Sequence, residues 1–323
     1  MRARASFSEI LGALGNFGGS QKFWGLSEIL RAIYGIVVMA NIRHDYSSIQ
    51  EGFSMFFKNK IVVISGAGSG IGRATAIQLA QEGATIIASD IHRDNLASTA
   101  QKISEAGGRC QTYMVDSTDR DAVFDLANTV ISEHGQADIV INNAGIANSA
   151  RIDELDLDTF KRVMDVDFWG VVHGTQAYIP HMIARDSGHI VNISSIFGWI
   201  GVPKQAAYNS AKFAVFGFTE AVRQDMAGSR VKVSCVHPGG IDTPIARNAI
   251  LPQGQDSDAD REEMATRFKD MVHSTPAQAA ETIVRGIKKG KARILIGRDA
   301  VMVDVIRRLF PVNYGRILKF PVE

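Results

Sequence analysis

The sequence predicts an α/β domain built on a doubly wound parallel sheet, with about seven strands and helices on both faces. Three observations support this fold class. Short apolar, β-branched runs alternate with stretches of helical periodicity, a glycine-rich turn joins the first run to a helix, and polar residues follow several of the runs. The chain has 323 residues, is 46% hydrophobic and carries a net charge of +1. That length is ample for one domain of about 250 residues plus extensions, and the near-neutral charge gives no case for nucleic-acid binding.

Seven segments have the length and composition of buried strands, and the stretches between them have helical periodicity. The predicted strands are residues 60–64, 84–90, 108–115, 137–141, 188–193, 231–236 and 293–296. Ligands on such sheets bind beyond the carboxyl ends of the strands. The polar motif residues fall at those ends, so we expect them to meet in one crevice.

A glycine-rich turn follows the first strand and leads into a helix around residues 73–80. Its spacing is Gly66-x-x-x-Gly70-x-Gly72 rather than G-x-G-x-x-G, because residue 71 is Ile. A strand, a glycine turn and a helix N-terminus place backbone N–H groups where a pyrophosphate binds. The alternative is a turn that serves chain reversal only.

The second predicted strand ends in Asp90. A carboxylate at this place can accept hydrogen bonds from the adenosine ribose hydroxyls and repels a 2′-phosphate. Ser69, inside the glycine turn, is not basic. Both residues favour NAD over NADP, whereas Arg73 and Arg93 are the contrary evidence, since either side chain could meet a phosphate.

Tyr208 and Lys212 are four residues apart, and Ser195 lies thirteen residues before the tyrosine. Residues four apart on a helix share a face, with Cβ atoms about 5–6 Å apart. A neighbouring cation favours the ionised form of a phenol, whose ordinary pKa is about 10. The pair is therefore expected to move a proton near neutral pH, with a third group holding the substrate oxygen.

Taken together, five segments resemble the short-chain dehydrogenase/reductase family in its single-domain form, over about residues 58 to 300. The resemblance implies a Rossmann-type domain and an NAD(P)-dependent oxidoreductase that acts on CH–OH groups. The segments, in the order and at the spacings of the family, are Ser65–Gly72, Asn142–Gly145, Val191–Ser195, Tyr208–Lys212 and His237–Gly240.

The resemblance also implies roles for the motif residues. Tyr208 would be the general acid in reduction and the general base in oxidation, and Lys212 would lower its pKa and bind the nicotinamide ribose. Ser195 would hold the substrate oxygen, with Ser194 as the alternative. The implied contacts of the cofactor, besides Tyr208 and Lys212, are Gly66, Ser69, Gly70, Ile71, Gly72, Asp90, Asp116, Asn143, Ala144, Gly145, Pro238, Gly239, Ile241 and Thr243.

Asp167 departs from the family pattern, in which many members carry Asn within Asn-x-x-Gly and tie it to a water of the proton relay. This chain has Asp167-Phe168-Trp169-Gly170. Aspartate keeps the size and an acceptor but loses the amide donors, and its charge can raise the pKa of neighbouring groups. We expect an active enzyme with a shifted pH profile.

The substrate is expected to be a lipophilic secondary alcohol or ketone. The loop 196–203 after Ser195 is apolar, and either forms a wall of the pocket or packs under the next helix. Residues 244–270 lie where the family places a substrate lid, and these regions contain no cluster of Arg or Lys for an acidic substrate. Two alternatives stay open: an NAD(P)-sensing binding protein without turnover, and an epimerase or dehydratase on the same scaffold.

Both ends of the chain lie outside the resemblance. Residues 1–57 are expected to be disordered, membrane-associating or not native. Residues 301–323 are predicted to be an amphipathic extension, with a helix over residues 301–318 that packs on its own domain, in an oligomer or on a membrane surface. Cys110 and Cys235 are expected to be ordinary thiols, which favours a reducing compartment and a cytoplasmic protein. We expect no metal site, and a homodimer or homotetramer formed through helices around residues 158–184 and 205–228.

Overall fold

The computed structural model describes residues 56–252, 254, 257, 266 and 272–318. They contain a seven-stranded, all-parallel sheet with the strand order β3-β2-β1-β4-β5-β6-β7. The doubly wound fold class and the number of strands predicted from the sequence are confirmed. The proposed N-terminal extension lies outside the described residues up to residue 55, as do most of residues 253–271.

Every predicted strand is present, with ends that agree to within two residues. The strands are β1 Ile61–Ser65, β2 Thr85–Asp90, β3 Arg109–Met114, β4 Ile139–Asn142, β5 Gly188–Ile193, β6 Val231–Pro238 and β7 Arg293–Ile296. Strand β6 runs two residues beyond its predicted end because His237 and Pro238 pair with Leu295 and Ile296 of β7. Local sequence does not predict such an extension, since it depends on a neighbouring strand.

Helices connect the strands and cover both faces of the sheet. They are α1 Gly70–Gln81, α2 Arg93–Glu105, α3 Arg120–His134, α4 Leu157–Met164, α5 Gly170–Ala184, α6 Ala206–Asp225, α7 Pro276–Lys288, α8 Arg298–Leu309 and α9 Tyr314–Leu318. A π-helical turn, Asp165–Trp169, joins α4 to α5, and a 3₁₀ turn, Ile196–Gly198, follows β5.

The central strands are buried on both faces, and their successive side chains point to opposite sides. Along β1, Val62 and Ile64 pack in the core beneath α1, α2 and α7, whereas Ile61 and Val63 pack in the core beneath α3 and α5. Continuous apolar runs are typical of parallel strands covered by two helical layers. This explains why β1 contains no polar residue before Ser65.

The strand order reverses between β1 and β4. From β1 the chain moves outward to β2 and β3, then returns to β4 on the other side of β1. A crevice opens at the carboxyl ends of two strands whose connections leave in opposite directions. The glycine turn after β1 and Asn143 after β4 therefore lie at the place where this fold binds ligands.

The C-terminal segment forms two helices, not the single helix that its amphipathic pattern predicted. Helix α8 ends at Leu309, and Pro311 follows before α9 begins at Tyr314. Val303 and Ile306 are buried, so α8 packs on its own domain, as one of the sequence alternatives proposed. No helix among the described residues is long and apolar enough to cross a membrane.

Candidate active site

The glycine turn forms a tight cradle at the start of α1. Gly66 and Gly70 have φ angles of 64° and 52°, in the left-handed region that side chains disfavour. A Cβ atom on Gly72 would lie 2.2 Å from the carbonyl oxygen of Gly66. Only glycine lets the helix approach the turn this closely, and the turn then presents backbone N–H groups and a helix N-terminus. This arrangement fits a pyrophosphate.

Ser65 and Asn143 fasten the turn to the adjacent strand. The Asn143 side chain donates from Nδ2 to the carbonyls of Ser65 and Gly66, both at 3.1 Å. The Ser65 hydroxyl accepts from the backbone N–H of Asn143 at 3.0 Å and of Ala144 at 3.2 Å. Sequence reasoning assigned no role to Ser65, although a lone polar residue at the end of an apolar strand was a usable signal.

Asp90 lies at the end of β2, beside the glycine turn. Its Oδ2 accepts from the backbone N–H of Gly68 at 2.9 Å, and its Oδ1 accepts from His92 N–H at 3.0 Å. The carboxylate therefore sits at the outer rim of the cradle, on the same side as the turn. Its negative charge opposes the approach of a second anion at this rim.

Arg73 turns back onto the protein. Its guanidinium donates to Thr99 Oγ1 at 3.0 Å and to the carbonyls of Gly68 and Asn95. These bonds occupy the side chain and stabilise the glycine turn. Arg93 is exposed at the first position of α2.

The remaining predicted cofactor contacts border the crevice in different ways. Thr243 lies over the turn, since a Cβ atom on Gly70 would be 3.2 Å from its Cγ2. Asp116 follows β3, and its Oδ1 accepts two hydrogen bonds from Thr118, both at 2.9 Å. Gly239 is held against Ile296 O at 3.0 Å, whereas Ile241 is part of the buried core.

Tyr208 and Lys212 share one face of α6, as their spacing predicts. The Lys212 Nζ lies 5.5 Å from the centroid of the Tyr208 ring. The ammonium donates to Ile193 O at 3.2 Å and forms an ion pair with Asp167 Oδ2 at 2.9 Å. Lys212 is only 3% exposed, so its charge depends on these partners.

Asp167 is fully buried, at 0% exposure, in the π-helical turn between α4 and α5. Its Oδ1 accepts from Ile146 N–H at 2.8 Å, while Oδ2 faces Lys212. Turns of this kind are rare and recur at functional sites. The structure thus places the carboxylate directly on the ammonium, a contact that the sequence did not predict.

Two neighbouring serines have different surroundings. Ser194, 2% exposed, donates its hydroxyl to Lys212 O at 2.8 Å and so ties β5 to α6. Ser195, 8% exposed, accepts from Phe197 N–H at 3.1 Å and thereby begins the 3₁₀ turn. The Ser195 side chain also forms a hydrogen bond with the Tyr208 phenol that lowers its pKa, whereas the Ser194 hydroxyl is engaged with α6.

Burial and two neighbouring charges act on the pKa of the Tyr208 phenol in different directions. Burial raises the pKa of Tyr208, the ammonium of Lys212 lowers it, and the carboxylate of Asp167 raises it again, so that the net direction is upward. The sequence-based expectation that Lys212 alone brings this pKa towards neutrality is therefore incomplete. At neutral pH the phenol is protonated, which is the form that donates a proton.

Burial and neighbouring charges also shift the pKa values of the two residues of the ion pair. Burial lowers the pKa of Lys212, but Asp167 and Tyr208 raise it, and the net direction is upward. Burial raises the pKa of Asp167, against the charge of Lys212 and the N–H of Ile146. Asp167 therefore raises the pKa of both neighbouring groups, which was the expected effect of Asp at this position.

The apolar loop after Ser195 packs in two directions. Trp199 and Ile200 are buried against α8, with Tyr314 and Leu318 of α9 packed on the same cluster. Phe197 instead contacts Tyr208 edge-to-face, with ring centroids 6.2 Å apart. A cleft of about 600 Å³ opens beside the loop, lined by residues 150–153, 201–204, 206, 209 and 210.

A parallel α/β sheet with a glycine cradle at its switch point, and a Tyr–Lys pair beyond it, defines a nucleotide-dependent dehydrogenase. The chain belongs to the short-chain dehydrogenase family, whose pattern matches residues 60–253. The family, the oxidoreductase class and the fold predicted from the sequence are confirmed. Within the described residues, no group of three or more His, Cys, Asp or Glu side chains could hold a metal ion.

Known relatives agree with this assignment. The oxidoreductase SadH of Mycobacterium tuberculosis is 47% identical over 264 residues, which cover 81% of this chain and 95% of that protein. The 3-oxoacyl-(acyl-carrier-protein) reductase FabG of Thermotoga maritima is 38% identical over 199 residues, 62% of this chain and 80% of FabG. A crystal structure of a short-chain dehydrogenase/reductase from Burkholderia phymatum in complex with NAD has a TM-score of 0.72 and 26% identity, and covers 83% of this chain and 97% of that one.

Proposed function

We propose that this protein transfers a hydride between a nicotinamide cofactor, NAD in preference to NADP, and a lipophilic secondary alcohol or ketone. The observation that carries the proposal is the group formed by Tyr208, Lys212 and Asp167, with Ser195 beside the phenol. When bound, the cofactor supplies the hydride acceptor or donor. The residues of the chain supply the proton, the orientation of the substrate oxygen and the exclusion of water.

The glycine turn and Asp90 would hold the adenosine half of the cofactor. The turn leaves room for a pyrophosphate, and the Asp90 carboxylate at its rim favours ribose hydroxyls over a 2′-phosphate. Arg73, the main contrary residue, is engaged with Thr99 and backbone carbonyls. The related Burkholderia structure holds NAD, in agreement with this preference.

Proton transfer would run through Tyr208. In reduction, the neutral phenol donates its proton to the carbonyl oxygen, which the Ser195 hydroxyl holds by a hydrogen bond that strengthens as negative charge develops. In oxidation, the ionised phenol must accept the proton. Because the net pKa of Tyr208 is raised, oxidation should become faster as the pH rises.

Apolar surroundings of the phenol favour a lipophilic substrate. Phe197 contacts the Tyr208 ring, and Ile146 and Leu155 pack in the same apolar cluster as Tyr208. We propose residues 244–270 as a lid over this pocket, and residues 58–300 as the catalytic domain. Asp256, Asp258 and Asp260 of the expected lid lie outside the described residues.

We also propose a homodimer or homotetramer that uses the helices predicted from the sequence. Trp169 at the end of the π-helical turn and Phe213 on α6 are 48% and 41% exposed. Large exposed aromatic side chains on adjacent helices are typical of protein–protein contacts. A sedimentation experiment on the Trp169→Ser, Phe213→Ser double variant would test this.

A cytoplasmic location is proposed from the two thiols. Burial raises the pKa of Cys110 to about 11 and that of Cys235 to about 12, so both are poor nucleophiles at neutral pH. They lie on β3 and β6, which are separated by four strands, so they do not pair with each other. Unpaired thiols are typical of proteins from reducing compartments.

The test of the proposed function is NADH consumption over a panel of lipophilic ketones, together with Tyr208→Phe. The variant should lose at least about a hundredfold in kcat, because general acid catalysis contributes roughly 10²–10⁴-fold, and should still bind NADH. Tyr178→Phe is the matched control, because the Tyr178 hydroxyl is buried without a hydrogen-bond partner and belongs to a different apolar cluster from Tyr208. Full activity of Tyr208→Phe would refute the proposed mechanism.

The two alternatives give different results in the same assay. A cofactor-sensing protein binds NADH but turns over no ketone and no alcohol of the panel. An epimerase or dehydratase changes its substrate without net consumption of NADH. The intact contact between Lys212 and Tyr208 favours turnover over sensing.

A further inference from the structure

Helices α8 and α9 cover one side of the loop that follows Ser195, and both lie beyond the part of the chain that matches the family pattern. Trp199 and Ile200 of this loop form a buried cluster with Val303 of α8, and the side chains of Tyr314 and Leu318 pack on it. The C-terminal helices therefore hold one side of this loop in place.

Two hydrogen bonds fix the backbone of the loop itself. Arg307 Nε donates to Trp199 O at 3.0 Å, and the backbone N–H of Gly201 donates to the Tyr314 hydroxyl at 2.9 Å. The guanidinium of Arg307 also lies 5.7 Å from the centroid of the Tyr314 ring, so the two side chains support one another. Bonds to backbone atoms set the position of the loop whatever side chains it carries.

Aromatic contacts connect the C-terminal helices, through Trp199 and His237, to the backbone of Ser195. The Trp199 ring lies on the His237 ring, with centroids 3.9 Å apart. The guanidinium of Arg293 lies 4.6 Å from the centroid of the Trp199 ring. Arg293 also forms an ion pair with Asp304 of α8 at 3.1 Å. His237 Nδ1 is 3.1 Å from Ser195 O. A displacement of Trp199 would thus be transmitted through His237 to the backbone of Ser195.

The opposite side of the loop is held by the catalytic helix. Asn209, the residue after Tyr208, donates to Phe197 O at 2.7 Å and Ile200 O at 2.8 Å, and accepts from Val202 N–H at 3.0 Å. The loop is consequently held by α6 on one side and by the C-terminal helices on the other, and Phe197 contacts the Tyr208 ring.

We propose that Arg307 and Tyr314 are positioning residues that set the wall of the substrate pocket and so select substrates by size. They act through the loop 196–202 and do not touch the reacting atoms. This inference rests on the proposed function, because it concerns the same pocket. It assigns a specificity role to a part of the chain outside the region that matches the family.

The test compares a small and a bulky ketone in the wild type, Arg307→Met, Arg307→Lys and Tyr314→Phe. Losing one hydrogen bond to the loop corresponds to about 1 kcal/mol, or roughly fivefold. We expect KM for the bulky ketone to rise about fivefold in Arg307→Met and in Tyr314→Phe, with kcat for the small ketone and the affinity for NADH unchanged. Arg307→Lys, which keeps a donor that Met lacks, should restore most of the discrimination.

Arg316→Met is the matched control, because Arg316 is exposed on α9 two residues after Tyr314. Hydrogen exchange at the amide of Gly201 shows in parallel whether the loop is released. If the amide exchanges faster in Tyr314→Phe while the ratio of kcat/KM for the two ketones stays that of the wild type, the specificity role is wrong and the proposed function stands. A wild type that turns over no ketone at all overturns both.

Discussion

The buried ion pair between Asp167 and Lys212 gives the sharpest prediction. Asp167→Asn keeps the volume and the oxygen that accepts from Ile146 N–H, but removes the negative charge 2.9 Å from the ammonium. At an effective dielectric constant of 20, two unit charges at that separation attract by about 6 kcal/mol, most of which offsets the cost of burying them. Leaving one buried charge without its partner costs about 3–5 kcal/mol, so we expect the free energy of unfolding to fall by about 3 kcal/mol.

The same change should move the pH profile of alcohol oxidation. Asp167 is one of the groups that raise the pKa of Tyr208, and its neutralisation leaves only burial to oppose the effect of Lys212 on the phenol. A charge removed at this range shifts a pKa by about one unit or more, which is about 1.4 kcal/mol. The limb of the kcat/KM profile in which oxidation rises with pH should therefore move to lower pH by about one unit.

The assay is kcat/KM for oxidation measured from about pH 6 to pH 10 with saturating NAD. Asp165→Asn is the matched control, because Asp165 lies in the same π-helical turn but pairs with Lys161, whose side chain is 76% exposed. The control should leave both the profile and the stability close to those of the wild type. A profile of Asp167→Asn that is unchanged, or that moves to higher pH, would refute the reasoning.

Three further results are expected. Asp90→Ala should lower the ratio of kcat/KM for NAD over NADP by about tenfold, because it removes a negative charge from the rim of the cradle; an unchanged ratio contradicts the assigned role. Gly72→Ala should abolish NADH binding, since its Cβ meets Gly66 O at 2.2 Å, whereas Gly217→Ala, with open space around it, should stabilise α6 by up to about 1 kcal/mol in urea unfolding. Burial lowers the pKa of His189 and His237 to about 3, so the unfolded chain binds more protons than the folded protein below pH 6.5. The free energy of unfolding should therefore fall as the pH drops from 6.5 towards 3, by up to about 1.4 kcal/mol per pH unit for each histidine. His189→Asn should reduce that slope, and an unchanged slope would mean that His189 is protonated in the folded state.

The amino-acid sequence determined the fold to a large extent. Most strands are local apolar runs between turn residues, so their positions are encoded within a few residues and the predicted ends are nearly those observed. The glycine positions and the four-residue spacing of Tyr208 and Lys212 are local as well, and the structure places these groups together as expected. The break between α8 and α9, at Pro311, was visible in the sequence but was missed because the amphipathic pattern continues across it.

Only the tertiary structure decided what surrounds these groups. The sequence identified Asp167 as unusual, but not that it contacts Lys212 directly, because that contact joins residues forty-five positions apart on different helices. It likewise could not predict that burial outweighs the ammonium at the phenol, nor that Arg307 and Tyr314 reach back to the loop after Ser195. Local patterns fix which elements form, whereas the charge and the neighbours of a side chain depend on how distant elements pack against each other.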